Sequence, residues 1–301
     1  MVQPRRSARD GDARPGSKRI GKYTLFDSLG KGGTGEVFLA RAEGSGIDVA
    51  LKLICTPSGS TRKILSQFMA ETRIMLQLDH PNLVHILDSG LDPSGPFIVM
   101  EFLGSRTLRA ELDAGGPSPS LIPSIGHGLL AAMVEIHRAR ILHRDLTPSN
   151  VILREGCPII IDFGLARIAD QESITRSRGL KTVLAYSPPE RLGGEPHTMA
   201  SDLYQAGLNL YEMVMKRHPF PETLPSRLAT AQLLKRPPGL DGEQDGLPRH
   251  LGRLLARALE KSPQDRYASV QDLLEDWDYV WEYRPSSPST SRRPTGAGRR
   301  T

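Results

Sequence analysis

The apolar residues of this chain change period once, near Thr107, and that change limits the fold more than any other feature. Before it, apolar positions alternate or run in blocks of strand length. Tyr23–Leu29 leads into a glycine cluster, Glu36–Arg41 resumes in extended character, and Val49–Ile54 is an apolar run. One helix interrupts the strands: Ile64, Phe68, Ile74, Met75 and Leu78 recur at helical spacing and stop before His80-Pro81. Pro96–Phe102 reads as a further strand. After Thr107 the spacing is helical over about 121–140, 199–215, 248–259 and 268–281. No internal repeat of about 20–50 residues appears. A strand-rich first part followed by a helical second part predicts an α+β fold of two lobes with a cleft between them.

Composition narrows the classes. With 38% apolar and 24% charged residues in 301, the chain can bury a core without disulfides or structural metals. No run of roughly 18 or more apolar residues is present, so no membrane span is expected. No apolar stretch follows the N-terminal arginines and no lipidation signal is present, so a cytoplasmic protein is expected. The two cysteines, Cys55 and Cys157, are too few for a disulfide framework or a zinc site. The net charge of +5 is misleading as a whole. Residues 1–20 hold six basic against two acidic residues and 284–301 hold five basic and none acidic, which leaves −4 on the middle. A nucleic-acid-binding fold carries its charge on the domain, so no nucleic acid partner is expected. Both ends are rich in Pro, Ser, Gly and Arg and are expected to be disordered tails, 1–20 and 284–301. The expected domain is 21–283, with a first lobe over about 21–101 and a second over about 104–283. No sensor segment accompanies it, so a separate partner or self-association is expected to switch it on.

Four motifs carry chemistry. Gly30-Lys31-Gly32-Gly33-Thr34-Gly35-Glu36-Val37 has the G-x-G-x-x-G-x-V spacing, which lets backbone N–H groups approach phosphates. An alternating strand follows it rather than a helix, so it reads as a hairpin turn and not a dinucleotide loop. Lys52 sits inside the apolar run Val49-Ala50-Leu51-Lys52, a costly place unless the lysine is paired or meets a ligand. Its candidate partner is Glu71, mid-helix. His143-Arg144-Asp145-Leu146-Thr147-Pro148-Ser149-Asn150 puts an Asp and an Asn on a loop between a long helix and a short strand. Asp162-Phe163-Gly164 ends the apolar run Pro158–Ile161, where a carboxylate suits a hard cation such as Mg2+.

These motifs, in this order, resemble those of eukaryotic-like (Hanks-type) protein kinases, and most closely the bacterial serine/threonine kinases. Later landmarks agree: Pro188-Pro189-Glu190, the helix start Asp202–Gly207, His218-Pro219-Phe220, and Arg266 as the partner of Glu190. The resemblance runs from about Tyr23 to Trp281 and implies the bilobal kinase fold with an ATP cleft. It implies that Leu29 to Val37 cover the ATP phosphates and that Lys52, paired to Glu71, holds the α/β-phosphates. Adenine would lie between Val37 and Ala50 on one side and Ile152 on the other, with Met100 as gatekeeper and Glu101 and Leu103 facing its edge. Asn150 and Asp162 would carry Mg2+, and Asp145 would orient the substrate hydroxyl. His143 would pack against Phe163. Arg144 suggests control by phosphorylation at Ser173, Thr175, Ser177 or Thr182.

Two departures touch the acceptor side. The family's lysine two residues after the catalytic aspartate is Thr147 here, and the Gly-Thr-x-x-Tyr pattern aligns Thr182 and Val183 before Tyr186; Lys181 is a candidate replacement cation. The expected function is transfer of the γ-phosphoryl group of ATP to protein Ser/Thr hydroxyls. Thr147 and Val183 keep a nucleotide-binding pseudokinase scaffold as the alternative. A small-molecule phosphotransferase is disfavoured by the Glu190–Arg266 pair.

Overall fold

The structure is a computed structural model and describes residues 18–32, 35–55, 62–163, 180–238, 247–248 and 250–282. Six strands form one antiparallel sheet: β1 (Arg19–Ile20), β2 (Tyr23–Gly32), β3 (Gly35–Ala42), β4 (Asp48–Ile54), β5 (Ile86–Asp92) and β6 (Gly95–Glu101), in the spatial order β1-β2-β3-β4-β6-β5. Alternation along β4 and β6 sorts the side chains onto two faces. Val49, Leu51, Phe97 and Val99 join Ile20, Tyr23 and Leu25 in a cluster on one face. Ala50, Ile54, Ile98 and Met100 belong to the main core on the other. Lys52 therefore shares the core-side face and is 2% exposed. The helix α1 (Arg62–Met75) lies over β5 and β6, with Phe68 and Met75 buried.

Arg19 and Ile20 belong to the fold, although the sequence reading assigned them to a disordered tail. Ile20 is fully buried in the outer cluster, the Lys18 carbonyl accepts from Leu25 N, and Arg19 pairs with Glu43. Burial of one isoleucine recruits the strand. Residues 1–17 and 284–301 lie outside the described ones.

The second lobe contains α2 (Leu108–Asp113), α3 (Ile122–Arg138), the hairpin β7 (Val151–Arg154) and β8 (Cys157–Ile160), and then α4 (Leu180–Ala185), α5 (Pro189–Leu192), α6 (Met199–Met215), α7 (Pro225–Leu234), α8 (Leu251–Ala258) and α9 (Val270–Val280). Pro119–Arg138, which includes α3, has the length and hydropathy to cross a membrane, but half of it is buried against α9, α6 and β8. Close packing on α9 needs Gly126: a Cβ there would lie 2.2 Å from the Trp277 ring, whose Nε1 donates to Pro123 O at 3.0 Å. Almost the whole of α6 is buried, including the polar residues Ser201, Asp202, Gln205, Asn209 and Glu212. Buried polar groups need partners, and those of Asp202, Gln205 and Asn209 lie in the loop before β7. The lobes are joined where Val84 N donates to Ile160 O at 3.0 Å and Ile160 N to Asn82 O at 2.8 Å.

Candidate active site

The β2–β3 hairpin forms one side of the cleft. Gly33 and Thr34 at its tip lie outside the described residues. Gly35 has φ 153°, and a Cβ there would sit 2.0 Å from the Leu53 carbonyl oxygen, so only glycine fits where β3 pairs with β4. Lys31 and Glu36 pair loosely across the turn at 3.8 Å, and Leu29 is 43% exposed at its base. Register places Val37 opposite Lys52 and Ala50 opposite Met100, so all four border one region of the sheet. Across from them, Val151 and Leu153 join the main core, while Ile152 between them is buried outside it. Glu101 ends β6. Its N–H is used by His85 O at 3.1 Å and its carboxylate by His85 N at 3.0 Å, which fixes the link between the lobes at Glu101 and Leu103.

Lys52 Nζ lies 2.7 Å from Asp162 Oδ2. No ion pair within 4.0 Å joins Lys52 to Glu71 in this structure, contrary to the sequence expectation; Lys52 pairs with the carboxylate at the end of β8 instead. Both residues border the cleft, and a nearly buried ammonium takes the carboxylate that reaches it. Asp162 adopts φ 63°, a left-handed conformation that a non-glycine residue holds only when its surroundings impose it. Gly164 lies outside the described residues.

The loop from His143 to Asn150 is held from below by one face of α6. The Asp202 carboxylate is fully buried and accepts four N–H groups: His143 N and Arg144 N, each at 2.8 Å, His137 Nε2 at 2.9 Å and His197 Nε2 at 2.7 Å. Burial works to raise its pKa, but these hydrogen bonds and the nearby imidazoles outweigh it and hold it well below the usual carboxylate range. Gln205 accepts from Leu146 N at 3.2 Å, and Asn209 donates to Leu146 O at 3.0 Å. Arg144 is thereby kept at φ 67°. Asn150 Nδ2 donates to Asp145 O at 2.7 Å and to Asp145 Oδ2 at 3.0 Å. This tie orients the Asp145 carboxylate through the amide nitrogen of Asn150. Burial pushes the His143 imidazole pKa down, and its Nδ1 accepts from Asp145 N at 3.3 Å, so it serves as a neutral brace.

The acceptor side is ordered by two ion pairs. Arg266, 3% exposed, meets both oxygens of Glu190, at 2.9 and 2.7 Å, and Ser201 donates to the same carboxylate at 2.6 Å. Arg109 on α2 donates to Glu212 at 2.7 Å and to the Tyr186 hydroxyl at 2.9 Å, and Tyr186 itself donates to Glu212. Thr147 is buried and its carbonyl accepts from Asn150 N at 2.9 Å. Thr182 and Val183 fall within the helix α4, whose Leu184 and Ala185 pack on Phe220, Leu228 and Ala231. Ser173, Thr175 and Ser177 lie outside the described residues, as do the side chains of Lys181 and Thr182.

Sequence reasoning missed the roles of Gln205, Asn209, His137, His197 and Arg109. One signal was present: Asp202, Gln205, Asn209 and Glu212 recur at helical spacing within an otherwise apolar segment, a polar stripe on a buried helix.

Residues 23–277 match the family of the protein kinase domain. The chain is 33% identical over 269 residues to the probable serine/threonine-protein kinase PknB of Bifidobacterium longum, covering 85% of this chain and 39% of that protein. It is 33% identical over 261 residues to the serine/threonine-protein kinase PkaA of Streptomyces coelicolor, covering 81% and 47%. To PrkC of Bacillus subtilis it is 29% identical, over 86% and 40%. The chain thus spans less than half the length of these curated relatives. Among solved structures, the kinase domain of Mycobacterium tuberculosis PknI superposes with a TM-score of 0.68 at 22% identity, covering 90% of this chain and all of that one. With residues 23–277 matched and Lys52, Asp145, Asn150 and Asp162 gathered at one cleft, the chain belongs to the protein kinase family.

Proposed function

We propose that this chain is an ATP-dependent protein kinase that transfers the γ-phosphoryl group to serine and threonine hydroxyls of proteins, its own activation segment included. The carrying observation is the anchored loop: the peptide groups of His143, Arg144 and Leu146 are fixed by α6, which presets Asp145 and Asn150. In phosphoryl transfer the protein acts mainly by positioning and charge, so preset geometry is the larger part of catalysis.

Adenine would occupy the region bounded by Val37, Ala50, Met100 and Ile152, with its edge toward the backbone of Glu101 and Leu103. The turn from Leu29 to Val37, with Gly30, Gly32 and Gly35, would cover the phosphates. Asn150 and Asp162 suit Mg2+, because each offers a hard oxygen ligand beside the cleft. When bound, the ion would neutralise phosphate charge. Lys52 would pass from Asp162 to the α/β-phosphates, and Glu71 would then steady its ammonium. Asp145 would accept the proton of the attacking hydroxyl, its carboxylate held in place by the Asn150 amide. We place this activity in the cytoplasm, with proteins as substrates and self-association as the route to phosphorylation of the activation segment.

The test is transfer of labelled phosphate from Mg2+–ATP to a mixed protein acceptor by the chain, its K52M variant and its D145N variant, with nucleotide binding measured in parallel. The expected result is transfer by the native chain alone, on serine and threonine. Nucleotide binding without transfer by any of the three would replace this reading with that of a scaffold. Label on tyrosine alone would reassign the acceptor.

A further inference from the structure

Behind the catalytic loop, the last turn of α3 and the first turns of α6 and α9 converge without closing, and they leave an open-sided cavity of about 280 Å³. Its walls are apolar: Val134, Leu203 and Val270 form the buried floor, and Met199, 44% exposed, stands at the side. Apolar surface left in water has free energy to gain from an occupant. At roughly the 30 Å³ that a water molecule takes up in the liquid, there is room for about nine non-hydrogen atoms.

Polar groups stand on one rim. Arg138 ends α3 with its guanidinium largely exposed, and its described ion pair, to Glu135, is a loose one at 3.7 Å. The first turns of α6 and α9 add backbone N–H groups with no acceptor inside their own helices. At α6 the Thr198 carbonyl accepts from Ser201 N and Asp202 N, and at α9 the Ser269 side chain accepts from Asp272 N. Asp272 offsets the positive end of α9, so Arg138 supplies the main cationic contact. Among the described residues that line the cavity, an apolar floor beneath a single exposed guanidinium complements a monoanion with an apolar body.

We propose that this cavity binds a small apolar carboxylate, of the aryl or short alkyl class, with its apolar part on Val134, Leu203 and Val270 and its carboxylate on Arg138. The site connects to the loop that carries Asp145. His137 lines the cavity and donates through Nε2 to Asp202, which in turn holds the N–H groups of His143 and Arg144. An occupant that restrains His137 therefore restrains the anchor of the catalytic loop.

The experiment is calorimetric titration of the full chain with benzoate and, as a neutral isostere, benzamide. It needs no phosphotransfer, so its outcome is independent of the activity proposed above. Benzoate should bind saturably at one site and at least five-fold more tightly than benzamide. R138Q, a change at an exposed position, should erase that preference. A268F, at the exposed rim, should fill the mouth and abolish binding of both, with an unchanged melting curve as the check on folding. The proposal is overturned by absence of saturable benzoate binding, by equal binding of the two probes, or by benzoate binding that survives both substitutions.

Discussion

Replacing Asp202 with asparagine keeps the size of the side chain and changes only what it offers to its four donors. The carboxylate has acceptor capacity for all of them: Oδ1 takes Arg144 N and His197, and Oδ2 takes His143 N and His137. An amide has one oxygen and one NH2 group. Whichever side receives the NH2, one imidazole and one loop peptide N–H face a donor. The imidazole can adapt by moving its proton to the other ring nitrogen, but the peptide N–H cannot. A buried donor left without an acceptor costs about 1–3 kcal/mol. The three surviving hydrogen bonds lose their charge assistance, which costs roughly 0.5–1 kcal/mol each. D202N should therefore lose about 3–5 kcal/mol of stability. At a urea slope of about 3 kcal/mol/M, that lowers the unfolding midpoint by roughly 1–2 M. Turnover should fall as well, because the orphaned N–H belongs to the residues next to Asp145. A loss below about 1 kcal/mol, with turnover intact, would refute the claim that this carboxylate anchors the loop.

Other perturbations follow from the same geometry. H197Q removes one of the two imidazoles on Asp202 while leaving the loop N–H bonds, so urea unfolding should show a loss of about 1–2 kcal/mol, clearly less than for D202N. G126A drives a methyl group into the Trp277 ring and should cost about 1–3 kcal/mol in the same assay. G35A has no room at the Leu53 carbonyl and should weaken nucleotide affinity by distorting the β3–β4 register, as read by titration with an ATP analogue. For Glu190, burial works to raise the pKa, but Arg266 and Ser201 outweigh it, and the folded value lies below the ordinary 4.5. Its contribution is therefore complete above about pH 4.5 and is lost as the pH falls through the folded value. The stability gap between the native chain and E190Q should shrink over that acid range and stay constant above it.

The motifs were legible because each is local. Gly30 to Val37, Val49 to Lys52, His143 to Asn150 and Asp162 are short strings whose strand or loop setting the neighbouring residues declare. The two lobes were legible because alternation gives way to helical spacing near Thr107. What stayed hidden depends on distance along the chain. Asp202 lies 58, 59 and 65 positions from Arg144, His143 and His137, and local spacing does not specify which buried carboxylate meets which loop. The ion pair of Lys52 with Asp162 stayed hidden for the same reason, because the two residues stand about 110 positions apart in the chain. Arg19 and Ile20 were assigned to the tail because charge and glycine dominate their surroundings, whereas one isoleucine found a pocket on the outer sheet face.

The central claim is that this preset loop transfers phosphate. The most direct measurement is mass spectrometry of the purified chain after incubation with Mg2+–ATP, beside D145N treated in the same way. Phosphate on Ser173, Thr175, Ser177 or Thr182 of the native chain, absent from the variant, is the predicted result. Absence of phosphate from both, with nucleotide bound, would contradict it.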